Sequence, residues 1–230
     1  MNQSDVTSVT ITVDDAHSVS GLLWAPAGAR ACYVLAHGAG AGMFHPFMDV
    51  VARELAERDI ATLRYQFPYM EKGAKRPDPP KLAHATVRAA VAAAAKLAPA
   101  LALVAGGKSF GGRMTSQAQA ASPLPGVRGL AFLGFPLHPA GRSSDERAEH
   151  LSAVEVPMLF LQGSRDKLAD LGFLQRLMER LGERASLRLL PDADHSFRVP
   201  ARVGRNDADV KRDMMDALAA WILSVISRRG

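Results

Sequence analysis

A single cysteine, Cys32, stands among the 230 residues, which excludes an internal disulfide and fits a reducing compartment. Aromatic residues make up only 6% and form no repeated aromatic–basic pattern, so a stacking platform for nucleic acid is missing. The net charge is +5, but the lysines and arginines are scattered, and the densest clusters, "EKGAKR" and "SRRG", are short. That distribution reads as solvated charge and not as a nucleic-acid surface. No apolar stretch reaches the roughly 18 residues that a membrane span needs. The opening "MNQSDVTSVT" has neither the basic region nor the apolar core of a signal peptide. The expectation is a cytoplasmic protein with no nucleic-acid or membrane partner, its oligomeric state left open.

What the chain does have is alternation. Its length and composition suit one globular domain over residues 1–230. "VTITV" and "VSGLLWAP" read as an antiparallel hairpin or ladder. "ACYVLAH", "IATLRY", "ALALVAGG", "GLAFLGFP", "PMLFLQG" and "ASLRLLP" follow as further strands, several with the continuous apolar run of a strand buried on both faces. Between them lie helical patterns at "PFMDVVARELAER", "KLAHATVRAAVAAAAKLA", the segment 110–121, a short "SSDERAEHLSAV" and "LADLGFLQRLMERLG". "QFPYMEKGAKRPDPP" reads as a polar, proline-rich loop, and 207–227 as a long amphipathic helix. Strands alternating with helices imply an α/β fold, a mostly parallel sheet of about eight strands with helices on both faces. In such sheets the working loops lie beyond the carboxyl ends of the strands.

One of those loops is "GGKSFGG", Gly106 to Gly112, with two competing readings. As the tail of a phosphate-binding loop it needs a glycine five residues before Gly107, where Ala102 stands inside the apolar strand. As G-x-S-x-G it fits a sharp strand-to-helix turn, with Gly107 and Gly111 leaving room for the backbones and Ser109 lifted clear. The same turn aims the Phe110 N–H and the positive end of a helix at the space where an oxyanion would form.

A serine nucleophile needs a base, and the base needs an acid to orient it. "SRDKLAD" places Asp166 just past the "PMLFLQG" strand, and "DADHSF" places His195 just past "ASLRLLP". The order serine, acid, histidine is the one this arrangement uses. Asp166 could instead cap the following helix. Asp192 and Asp194 are better suited to shaping the turn before His195. His84 and His150 fall in helical patterns and are expected to be exposed, and His17 lies in the early hairpin.

A second glycine loop, "HGAGAG" from His37, follows "ACYVLAH". As a dinucleotide fingerprint its third glycine falls on Met43 or His45, so neither register completes it. Beside a serine elbow the loop supplies a second oxyanion N–H, from Ala39 or Gly40, while His37 holds the loop in place.

"HGAG", "GKSFGG", "GSRD" and "DADHSF", in this order across nearly the whole chain, resemble the α/β-hydrolase superfamily, and its dienelactone-hydrolase-like branch in particular. "RYQFPYME", "GKSFGGRM" and "GFPLHPAG" are similar to the small group of testis-expressed and NSL-complex-subunit hydrolase-like proteins. The resemblance implies an eight-stranded hydrolase fold with Ser109, Asp166 and His195 as a catalytic triad. Dienelactone hydrolases carry cysteine where this chain has Ser109, so their substrate does not carry over.

The expected function is a serine hydrolase that cleaves a carboxylic ester, thioester or related small acyl compound, with no metal or organic cofactor. The alternative is a hydrolase-like fold used as an interaction module. Only "LHPAGRSSDERAEHLSAV" separates the "GLAFLGFP" strand from the next, so a lid is minimal or absent. His45, Tyr69, Met70 and His138 are the candidates for the pocket wall. Arg113 and Lys108 would favour an anionic acyl group, unless Lys108 sits on the solvated side of the turn.

Overall fold

The computed structural model describes residues 6–142 and 144–227. Eight strands form one sheet: β1 (Val6–Asp14), β2 (His17–Trp24), β3 (Ala31–Ala36), β4 (Ile60–Tyr65), β5 (Ala102–Lys108), β6 (Val127–Leu133), β7 (Met158–Gly163) and β8 (Ala185–Leu190). Their spatial order is β1-β2-β4-β3-β5-β6-β7-β8. β2 pairs antiparallel with both β1 and β4, and every pairing from β4 to β8 is parallel. β3, β4 and β7 are buried at every position, as their unbroken apolar runs require of strands covered on both faces.

Two apolar layers cover the sheet. Helices α3 (Pro80–Leu97), α4 (Phe110–Ala121) and α5 (Leu171–Leu181) press Val87, Met114 and Leu174 onto one face. Helices α1 (Pro46–Ala56) and α6 (Asp207–Ser227) press Val51, Leu55, Met214 and Leu218 onto the other. No helix of the described residues is long and apolar enough to cross a membrane.

Two segments differ from the sequence reading. The proline-rich stretch after β4 contains a short helix, α2 (Pro68–Glu71), started by Pro68 in the first helical position. "ERAEHLSA" forms a 3-10 helix, Glu146–Ala153, in place of an α-helix. It and its flanking loops are all that joins β6 to β7 among the described residues, and no lid covers the strand ends.

The register lines up the carboxyl ends of the parallel strands. Ala36 of β3 pairs with Gly107 of β5, Lys108 with Leu133 of β6, Leu133 with Leu161 of β7, and Gly163 with Leu190 of β8. The loops after β3, β5, β7 and β8 therefore share one rim.

Candidate active site

β5 runs into α4 with only Ser109 between them. The turn holds Ser109 at φ 51° and ψ −113°, a backbone that costs a non-glycine residue of order 1–3 kcal/mol. The glycines make it sterically feasible. A Cβ on Gly107 (φ 152°) would collide with the Ala36 carbonyl oxygen, and one on Gly111 would lie 2.5 Å from the His37 carbonyl oxygen. β3 and α4 thus approach the turn as closely as backbones can.

Ser109 Oγ donates to His195 Nε2 at 2.9 Å, and His195 Nδ1 donates to Asp166 Oδ2 at 2.7 Å. The carboxylate selects the tautomer that leaves Nε2 free to accept from the hydroxyl. Asp166 is 6% exposed, and its oxygens also accept from Gln162 Nε2 at 2.5 Å and from the Leu168 N–H at 2.8 Å. The helix after this loop is capped by Asp170, which accepts from the Gly172 and Phe173 N–H groups, so Asp166 is not committed to capping. Asp194 shapes the histidine turn by accepting from the Ser196 and Arg198 N–H groups.

Gln162 escaped the sequence reading. It is fully buried in β7, and its Oε1 accepts from the Phe135 N–H while its Nε2 donates to Asp166. The available signal was a lone amide in the apolar run "PMLFLQG", since a buried polar side chain must find partners.

The glycine loop after β3 stands beside the elbow. His37 is fully buried; its Nδ1 donates to the Gly38 carbonyl at 2.8 Å and its Nε2 accepts from the Phe67 N–H at 3.0 Å. Burial pulls this imidazole down to about 4, against the raising effect of the Gly38 carbonyl, so it is a neutral strut. Tyr69 Oη donates to the Ala39 carbonyl at 2.8 Å and clamps the same loop. The Phe110 N–H, first in α4, has no acceptor within its helix. Ala39 and Gly40 line the space before Ser109.

A cavity of about 530 Å³ opens there, lined by the glycine loop, His45, Phe47, Ser109, His195 and Lys211 among others. His45 lines this cavity, exposed and accepting from the Phe47 N–H. Tyr69, Met70 and His138 do not line this cavity. Tyr69 is turned inward onto the glycine loop, and Met70 packs against the core. His138 is 3% exposed, accepts from the Asp170 N–H through Nε2 and donates to the Pro139 carbonyl through Nδ1.

Further side chains depart from expectation. Lys108 lies in the cavity wall and not on a solvated side; its Nζ donates to the His195 carbonyl at 2.7 Å and sits 5.3 Å from the Phe197 ring centre. Burial lowers its ammonium to about 8, with Asp166 and Asp194 opposing the shift. His84 and His150 are half-buried, not exposed, because each has a polar partner on α4. Cys32 is buried in β3 with its thiol pushed up to about 12, which removes it as a rival nucleophile.

A parallel sheet flanked by helices, with a serine on a strained strand-to-helix turn and a histidine within hydrogen-bond reach, defines the α/β-hydrolase class. Residues 29–223 match the family described as the alpha/beta hydrolase domain, and the chain belongs to that family. Similar solved structures include a dienelactone hydrolase from Anabaena variabilis, with 21% identity, TM-score 0.75, and coverage of 96% of this chain and 97% of that one. A lidless α/β serine hydrolase from Xanthomonas campestris matches at 21% identity and TM-score 0.70, covering 94% of each chain. An esterase domain from Rhodothermus marinus matches at 18% identity and TM-score 0.67, over 94% of this chain and 97% of that one. At these identities the likeness establishes the fold.

Proposed function

We propose that the chain is a carboxylesterase-like serine hydrolase in which Ser109, His195 and Asp166 form the catalytic triad. The observation that carries this reading is the unbroken hydrogen-bonded path from Ser109 Oγ through both imidazole nitrogens to Asp166. The esterase and dienelactone-hydrolase names among structurally similar proteins accord with it. So does the resemblance of "GKSFGGRM" to testis-expressed and NSL-complex-subunit hydrolase-like proteins, the finer placement we favour.

Ser109 Oγ attacks the acyl carbonyl carbon while its proton passes to His195 Nε2. Asp166 stabilises the imidazolium and does not itself take the proton. The carbonyl oxygen becomes an oxyanion that accepts from the Phe110 N–H and from Ala39 or Gly40, each donor contributing about 3 kcal/mol in the transition state. His195 returns the proton to the leaving alcohol or thiol, leaving Ser109 acylated. Water, deprotonated by His195, then releases the acid and restores the serine.

The substrate we favour is a small acyl compound, since the cavity is open and no lid encloses it. The test is a chain-length panel of p-nitrophenyl esters and acyl thioesters with the wild type and with Ser109→Ala and His195→Gln. Turnover by the wild type that falls at least about 10³-fold in either variant is expected. Equal turnover in all three would overturn the reading.

A further inference from the structure

Away from the cavity, α3, α4 and the 3-10 helix Glu146–Ala153 meet along a seam. His84 Nε2 lies 3.2 Å from Gln117 Oε1, and His150 Nε2 lies 2.7 Å from Ser116 Oγ. Arg113 stands three and four residues before Ser116 and Gln117, so one face of α4 presents all three. Arg147 stands three residues before His150 on a helix of three residues per turn, which puts both on one side. Four basic side chains from three elements thus stand along this seam, beside the middle of α4.

Among the described residues nothing balances them. Arg113 Nε is buried without a hydrogen-bond partner, and neither Arg113 nor Arg147 forms a side-chain ion pair there. Arg88, also nearby, is engaged with the Ala118 and Ser122 carbonyls at the far end of α4. Asp145 is paired with Arg180, and Glu146 and Glu149 are exposed and unpaired among the described residues. Burial lowers Arg113, His84 and His150, the last to about 4, and neighbouring positive charge lowers them further: Arg147 acts on Arg113, Arg88 and Arg113 on His84, and Arg113 and His84 on His150. Half-buried like charges around an unsatisfied guanidinium N–H cost free energy unless a counter-charge joins them.

We propose that His84, Arg113, Arg147 and His150 form a binding site for a doubly charged oxyanion, either free phosphate or the phosphate group of a small molecule. Each planar guanidinium donates paired N–H bonds to two oxygens of a tetrahedral phosphate, and a dianion neutralises both. The imidazoles gain protons as the anion arrives and add two further charge-assisted donors. None of the four residues lines the cavity beside Ser109, so the site stands independently of the catalytic reading.

The test titrates inorganic phosphate into the full chain while following the imidazole NMR signals of His84 and His150, assigned with His84→Gln and His150→Gln. Sodium chloride at matched ionic strength controls for screening. Phosphate is expected to move both signals saturably, raise both titration midpoints and raise Tm, and chloride is not. Arg113→Gln and Arg147→Gln should each weaken phosphate binding about tenfold. In phosphate-free buffer each should hold or raise Tm, because a repelling charge is gone; a merely structural arginine would lower it. Phenyl phosphate separates the two sources: tighter binding than inorganic phosphate assigns the site to a small-molecule phosphate group, and equal binding to the free ion. Histidine signals that respond no more to phosphate than to chloride, or arginine variants that bind as tightly as wild type, would overturn the proposal.

Discussion

The Lys108 ammonium donates to the His195 backbone carbonyl at 2.7 Å, so the residue before Ser109 holds the loop that presents the imidazole. Serine and histidine come from strands on different parts of the rim, and this bond fixes their relative position. Lys108→Met should lower kcat by about 10- to 100-fold with KM little changed, because small displacements of reacting groups are costly. Steady-state kinetics on an activated ester checks the split.

Lys108 also has a stability signature. Its ammonium titrates at about 8 in the folded protein against 10.5 in the unfolded chain, so between these pH values the unfolded chain binds more protons. Stability contributed through this group therefore rises as pH goes from about 8 to 10.5. Urea midpoints across that window should rise more in wild type than in Lys108→Met.

His37 acts in the acid range. It sits at about 4 when folded against 6.5 unfolded, so the native state must lose stability as pH falls through that interval. The full effect is roughly 3 kcal/mol at 1.36 kcal/mol per unit. His150 contributes in the same direction over the same window. Thermal melts between these limits should show a steep decline in wild type that is shallower in His37→Gln and in His150→Gln.

Gln162→Leu should destabilise the fold by about 1–3 kcal/mol, since the buried Phe135 N–H loses its acceptor and Asp166 loses a donor. Activity should fall as well, because the carboxylate that orients His195 is less firmly held. Urea unfolding gives the first number, and turnover at a pH where the variant remains folded gives the second.

The chain order of strands and helices was legible because buried parallel strands and amphipathic helices leave strong, different patterns. α4 spans the expected Phe110–Ala121, and α6 the expected Asp207–Ser227. Local sequence puts Ser109, Asp166 and His195 each at a strand end, and parallel register then brings those ends together. What could not be read depends on contacts between distant segments. The Tyr69 hydroxyl turns toward Ala39, 30 residues away, and Lys108 reaches back to a carbonyl 87 residues later. Neither pairing leaves a periodic trace. The burial of His84 and His150 is hidden for the same reason, since helical spacing does not reveal that both face α4.

The central claim is that Ser109 is the nucleophile. The most direct measurement is treatment of the wild type with a fluorophosphonate probe, followed by peptide mapping of the modified residue. The account predicts one adduct, on Ser109, formed rapidly by wild type and absent from folded Ser109→Ala. A folded wild-type protein that stays unlabelled under conditions that label a control serine hydrolase, or an adduct on another residue, would contradict it.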